Sequence, residues 1–298
     1  MAFKLGLAQI KQPTDGDVVA LVRRYAQQAA DSGVDLLAFP EYLMTPFKGS
    51  PREYASSAEP LDGPFAQSMS ALAVEHGLWL AFSMNEAVPA RVSDGAAETH
   101  PVATGENPLG SVDEQVGDPI SSPSGSAVDD RPFNTIVLAD ETGNTRLVYR
   151  KTHLFDDGSP KESDFVAPGN VLPEPVSTPF GNIAFAICYD LRFPEVARSA
   201  ALGGADLLVY LASWFDGPYK LHQWKTLLAA RAIENNIFVA GLCRADGDCI
   251  GNSCVFDPQG REIACAGTDE QLLVADIDMN RTDLRATLQH RRANLYRD

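Results

Sequence analysis

The sequence predicts an α/β fold, and three observations carry that expectation. Short apolar runs of strand length alternate with segments of helical periodicity along the 298-residue chain. Hydrophobic residues make up 45% and charged residues 21%, which excludes fibrous, collagenous and wholly disordered chains. No break in composition divides the apolar segments into two sets, so a single domain over residues 1–298 is expected.

The elements follow in order. Phe3 to Ile10 alternates loosely as a strand and stops before Pro13; Val18 to Ala30 repeats apolar residues at helical spacing, after the cap candidates Asp15 and Asp17 and before Gly33. Asp35 to Phe39 is a short apolar run ended by Pro40, a buried strand that leaves Glu41 at its end. Phe65 to Gly77 reads as a helix and Leu78 to Met84 as a strand. Thr135 to Ala139 and Leu147 to Tyr149 form a hairpin about Glu141-Thr142-Gly143-Asn144. Ile183 to Ile187 is a buried strand. Pro194 to Leu202 is a short helix with proline in its first turn and Gly203 past its end, and Asp206 to Leu211 is the next strand. Lys220 to Asn235 places Leu221, Trp224, Leu228 and Ala232 on one helical stripe. Ile237 to Gly241, Cys254 to Asp257 and Gln271 to Asp276 complete the strands.

Residues 91–130 break the pattern. They hold eight acidic side chains against the single basic Arg91, with five glycines, four prolines, six serines and no aromatic, too little apolar surface to order themselves. The segment reads as a disordered acidic insertion, either a solvated bristle or a lid over a site at the strand end that carries Asn85 and Glu86.

A net charge of -16 repels nucleic acid and anionic lipid, and no apolar run reaches the roughly 18 residues of a membrane span. Five cysteines without a tight framework suit a reducing compartment, and a cytoplasmic location is expected. Cys243, Cys249, Cys254 and Cys265 lack the paired short spacings of zinc sites, so neither metal nor cofactor is expected.

Cys188 follows a buried strand and precedes the turn that opens a helix at Pro194. A thiol there is presented to substrate while its backbone is held, and the next N–H, that of Tyr189, faces a developing oxyanion. A small buried core residue is the plainer reading of Cys188, and solvated loop ends are the plainer readings of Glu41 and Lys151. The strand ends of an open α/β sheet nevertheless lie along one edge, where three remote residues could meet.

Taken together, Glu41 in Phe39-Pro40-Glu41, Lys151 in Arg150-Lys151-Thr152-His153-Leu154-Phe155-Asp156 and Cys188 in Cys188-Tyr189-Asp190-Leu191-Arg192-Phe193-Pro194-Glu195 resemble the Glu-Lys-Cys triad of the nitrilase superfamily of carbon-nitrogen hydrolases. Lys161-Glu162-Ser163 resembles the segment bearing the family's second active-site glutamate, which brings Glu162 to the site by analogy. The resemblance runs from Phe3 to Tyr296 apart from the insertion. Cys188-Tyr189-Asp190 is similar to the Nit-type amidases, whereas true nitrilases usually show Cys-Trp-Glu. The stretch from Ala212-Ser213-Trp214 through His222-Gln223-Trp224 to Arg231-Ala232-Ile233-Glu234-Asn235 looks most like deaminated-glutathione amidases.

The resemblance implies a four-layer αββα sandwich, a homodimer formed through a helical face and the C-terminal segment, and cofactor-free hydrolysis of a primary amide through a Cys188 thioester. Deaminated glutathione is the first substrate it suggests, an ω-amidase substrate such as α-ketoglutaramate the second. An inactive ligand-binding relative is the alternative of a different class.

In the expected chemistry Lys151 lowers the Cys188 thiol and, with the Tyr189 N–H, holds the oxyanion; Glu41 is the base and Glu162 tunes it. Tyr42, Phe47, Trp214 and Phe215 are candidates to line the pocket, or ordinary core residues. Arg192 either pairs locally with Asp190 or meets a substrate carboxylate. A Cys–His dyad using His153 or His222 is the competing arrangement.

Overall fold

The computed structural model describes residues 2–45, 50–88, 130–157 and 160–279. Two six-stranded sheets form the centre. The first contains β1 (Ala2–Gln9), β2 (Leu36–Ala38), β3 (Trp79–Glu86), β4 (Phe133–Ala139), β5 (Thr145–Arg150) and β12 (Gln271–Asp278), in the order β12-β1-β2-β3-β4-β5. The second contains β6 (Val176–Thr178), β7 (Gly181–Ile187), β8 (Leu207–Ala212), β9 (Phe238–Cys243), β10 (Cys254–Phe256) and β11 (Glu262–Cys265), in the order β11-β10-β9-β8-β7-β6. Helices α1 (Val18–Asp31) and α3 (Pro64–His76) cover the first sheet, and α4 (Pro194–Leu202) and α5 (Lys220–Asn235) cover the second; α2 is the short helix Pro51–Ser57. The layers run helix, sheet, sheet, helix: the αββα sandwich.

The first sheet shows why its strands read as continuous apolar runs: both faces are buried, and the pleat deals successive side chains to opposite layers. Leu36, Ala38, Trp79, Ala81, Ile136 and Leu138 face the second sheet. Their sequence neighbours Leu37, Phe39, Leu80, Phe82, Val137 and Ala139 pack beneath α1 and α3 with Leu21, Val22, Met69 and Leu72. Each leucine, isoleucine, valine, phenylalanine or methionine among them contributes about 1.5–3 kcal/mol on full burial. On the other sheet, α5 lies close because β9 has glycine at 241, where a Cβ would come within 2.5 Å of both Leu228 Cδ1 and Trp224 Cζ2.

Topology places the site. β1, β2 and β3 are parallel; β4 turns back and β5 turns again, so β5 runs with them. In the second sheet β7, β8 and β9 are parallel. The C-terminal ends of β2, β5, β7, β8 and β9 deliver Glu41, Lys151, Cys188, Ser213 and Arg244 in turn. The sequence reading of one shared edge therefore needs refinement, because Glu41 and Lys151 come from one sheet and Cys188 from the other.

The expected elements form with shifts of a residue or two at their ends, and Lys220–Asn235 has the expected bounds. The hairpin turn is held by Asp140, whose carboxylate accepts the Thr142 and Asn144 N–H groups at 2.9 and 3.0 Å. Four elements are additional to the reading: α2, β6, β11 and the 3-10 turn Glu162–Asp164 that carries Glu162. α2 had a legible signature in Ser50-Pro51-Arg52-Glu53, a capping box with proline in the first turn, and both capping hydrogen bonds are present. Nearly all of the acidic insertion, together with Phe47 and the C-terminal segment from residue 280, lies outside the described residues. Among those described, no helix is long and apolar enough to cross a membrane.

Candidate active site

Glu41, Lys151 and Glu162 form a buried charge chain. Lys151 Nζ donates to Glu41 Oε1 at 2.7 Å and to both Glu162 oxygens at 2.9 and 2.8 Å. Each carboxylate is held from behind. Glu41 accepts the Asn134 side-chain amide at 3.1 Å and the Ser213 backbone N–H at 2.9 Å. Glu162 accepts the Phe155 N–H at 2.6 Å and the Tyr42 hydroxyl. Arg244 fixes the turn that carries Glu41, donating to the Glu41 and Tyr42 carbonyls at 3.3 and 3.0 Å.

Cys188 opens a 3-10 turn, Cys188–Arg192, directly after β7. Its φ is 44°, a left-handed conformation that costs a non-glycine residue roughly 1–2 kcal/mol. The turn sets the thiol close enough to the Glu41 carboxylate and the Lys151 ammonium for both charges to act on it. Cys188 keeps 9% of its surface exposed against 1% for Glu41 and 2% for Lys151, so the sulfur is the most accessible of the three. Tyr189 contributes one of the first N–H groups of the turn, which have no partner within it.

Asp190 locks this turn to the Lys151 segment. One carboxylate oxygen accepts the Ile187 N–H and the Tyr149 hydroxyl, both at 2.9 Å; the other faces the His153 N–H at 3.2 Å and Nδ1 at 2.8 Å.

The electrostatics add burial and a carboxylate charge to one expectation. Burial raises Glu41 above the ordinary carboxylate range, Lys151 opposes that rise and Glu162 adds to it. Burial works against the Lys151 ammonium, but Glu162 and then Glu41 outweigh it and hold the group well above the usual lysine value. Cys188 is pushed well above the usual thiol range by burial and by the Glu41 charge, and Lys151 only partly offsets this. The sequence reading had Lys151 lowering the thiol. Lys151 does act in that direction in the structure, but burial and the Glu41 charge outweigh it, so the resting sulfur carries its proton.

The remaining candidates separate clearly. His153 stacks on Phe193 at a centroid distance of 3.7 Å and faces Asp190, while His222 is exposed on α5, so neither forms the competing dyad. Arg192 does not pair with Asp190, which is enclosed by the contacts above. It donates to Gln223 Oε1 at 2.8 Å and lies 4.8 Å from the Trp214 ring centroid. Phe215 and Tyr189 both contact Phe155, forming an aromatic wall beside the turn. Tyr42 is buried with its hydroxyl committed to Glu162. Asn134, Ser213 and Arg244 escaped the sequence reading because an isolated amide, serine or arginine carries no local signal of a partner 93 to 203 residues away.

A fold of two sheets between helix layers, with this Glu-Lys-Cys cluster at the strand ends, defines a class. The carbon-nitrogen hydrolase family model matches residues 4–101 and 118–286, and the chain belongs to that family. It is 32% identical over 295 residues to Hydrolase MT0498 of Mycobacterium tuberculosis, covering 93% of this chain and 90% of that protein. It is 32% identical over 284 residues to the deaminated glutathione amidase of Rattus norvegicus, covering 91% of this chain and 76% of that one. Saccharomyces cerevisiae Nit3, a member of branch 10 of the nitrilase superfamily, shares the fold with a TM-score of 0.73 at 23% identity, over 97% of this chain and 94% of that chain. The protein is an amidase-type carbon-nitrogen hydrolase.

Proposed function

We propose that the enzyme hydrolyses a primary amide of a small carboxylic acid to carboxylate and ammonia through a thioester on Cys188. The observation that carries this reading is the strained turn that faces the Cys188 thiol to Glu41 while Lys151 is clasped between Glu41 and Glu162.

Glu41 takes the thiol proton as the sulfur attacks the amide carbon. Its raised proton affinity and the neutral resting thiol suit a transfer made only when substrate is present. The tetrahedral oxyanion meets the Lys151 ammonium and the Tyr189 N–H. Glu41 then gives its proton to the departing nitrogen, and ammonia leaves the thioester. In the second half Glu41 takes a proton from water, hydroxide attacks the thioester carbon, and the Cys188 sulfur departs and recovers the proton. Glu162 keeps Lys151 charged and positioned throughout. Arg192, held over Trp214 beside the turn, is placed to attract a substrate carboxylate, with Phe215 lining the acyl side.

The relationship to the rat amidase supports deaminated glutathione as the first substrate, and α-ketoglutaramate is the second. The enzyme acts in this reading as a cytoplasmic homodimer. Ammonia release from these two and from a simple aliphatic amide, with mass spectrometry of the trapped enzyme, tests the reading. An acyl adduct on Cys188 and the highest kcat/KM for an anionic amide are expected; no adduct and no ammonia from any of the three would make the protein a binder.

A further inference from the structure

Outside this site, two cysteines of the second sheet face each other. Cys254 on β10 and Cys265 on β11 are direct cross-strand partners. On the adjacent rung the Ala266 N–H donates to the Ser253 carbonyl at 2.7 Å. Cys254 and Cys265 thus form a non-hydrogen-bonded antiparallel pair, in which Cα atoms approach to about 4.5 Å and side chains lie closest. That spacing lies inside the roughly 4.4–6.8 Å window of a disulfide. Both side chains face α5, since Cys254 is in register with Gly241, whose absent Cβ would meet Trp224 and Leu228. The thiols are reduced, and the Cys265 thiol donates to the Ala266 carbonyl at 3.3 Å.

The two sulfurs differ. Cys254 is fully buried and Cys265 partly exposed. From α5, Lys225 pairs with Glu262 at 2.9 Å and its charge acts on Cys265. The neighbouring Cys254 thiol, and then Lys225, draw the Cys265 thiol down to about 6 against its partial burial; Cys265 and burial push Cys254 up. Relative to a free cysteine near 8.5, a thiol at about 6 is roughly 30-fold richer in thiolate at neutral pH. Elsewhere in the same sheet layer, Cys243 and burial hold the Cys249 thiol far up.

We propose that Cys265 and Cys254 are a modification site, a dithiol oxidised by hydroperoxides to a cross-strand disulfide. The Cys265 thiolate attacks the terminal peroxide oxygen; the O–O bond breaks, an alcohol or water leaves after gaining a proton, and Cys265 becomes a sulfenic acid. The Cys254 thiol then attacks that sulfur, the S–S bond forms, and water leaves with the hydroxyl and the thiol proton. One peroxide is reduced for each dithiol oxidised.

The test uses the reduced full-length enzyme and equimolar hydrogen peroxide at neutral pH, followed by peptide mapping that distinguishes all five cysteines. The expected product is a Cys254–Cys265 disulfide reversed by dithiothreitol. Cys254→Ser should stop at a dimedone-reactive sulfenic acid on Cys265. In unoxidised protein, alkylation of Cys265 should show a midpoint of about 6, moved upward by Lys225→Met. A midpoint in the ordinary thiol range, or peroxide treatment that leaves Cys254 and Cys265 unlinked, would overturn the assignment.

Discussion

Asp190 and His153 are joined at 2.8 Å between Oδ1 and Nδ1, and through this contact the turn that carries Cys188 is tied to the segment that carries Lys151. Because the same carboxylate also accepts the Ile187 N–H and the Tyr149 hydroxyl, sulfur and ammonium are positioned by one buried group from a third side. Asp190→Asn exchanges an acceptor-only group for one that presents a donor to these N–H and O–H groups. A stability loss of about 1.5–3 kcal/mol in urea denaturation is expected. Activity should fall chiefly in kcat, because the reacting groups shift relative to each other; unchanged kcat and stability would show that the tie does no positioning.

Lys151 holds two buried carboxylates together, so its removal is a structural as well as a chemical injury. Lys151→Met should destabilise the protein by about 3–5 kcal/mol, the cost of leaving buried charge uncompensated. The double variant Lys151→Met with Glu162→Gln removes one of those charges and should recover part of the stability without recovering turnover. If the double variant were no more stable than the single one, Glu162 would not be balanced by Lys151. Loss of the oxyanion donor proposed for Lys151 should by itself cost about 10²–10³ in kcat.

The pH profile should carry the imprint of Glu41. Its raised proton affinity means that the base is lost as pH falls through a value above the ordinary carboxylate range, which sets the acid limb of kcat/KM. The linked stability term has a definite sign: a carboxyl raised in the folded state stabilises fully below its unfolded pKa, and this contribution is lost as pH rises through the folded value. Cys188 and Lys151 both hold their protons well above their usual ranges, so neither produces a limb just above neutrality. An acid limb at the normal glutamate position would contradict the burial argument. Glu41→Gln should reduce kcat by about 10²–10⁴.

Strain at Cys188 is separable from the chemistry proposed for it. Cys188→Ala and Cys188→Gly should both abolish turnover. With φ at 44°, the glycine variant should lose less stability than the alanine variant, by about 1 kcal/mol, because only glycine adopts that conformation freely. Thermal or urea unfolding of the pair measures the difference directly. Equal stability would mean the turn stores no strain at position 188.

What the sequence by itself determined was local or motif-borne. Apolar runs, Pro40, Pro194, Gly33 and Gly203 specified where strands and helices begin and end, because those residues act on their own backbone. Glu41, Lys151, Glu162 and Cys188 stood out through the short motifs around them, and the structure brings all four into one buried cluster. Tertiary structure alone decided the protonation of Cys188, the partners of Asp190, Arg192 and Tyr42, and the contributions of Asn134, Ser213 and Arg244. Each of these depends on burial and on charges brought together from both sheets, and a Coulomb sum over distant segments has no counterpart in the order of neighbouring residues.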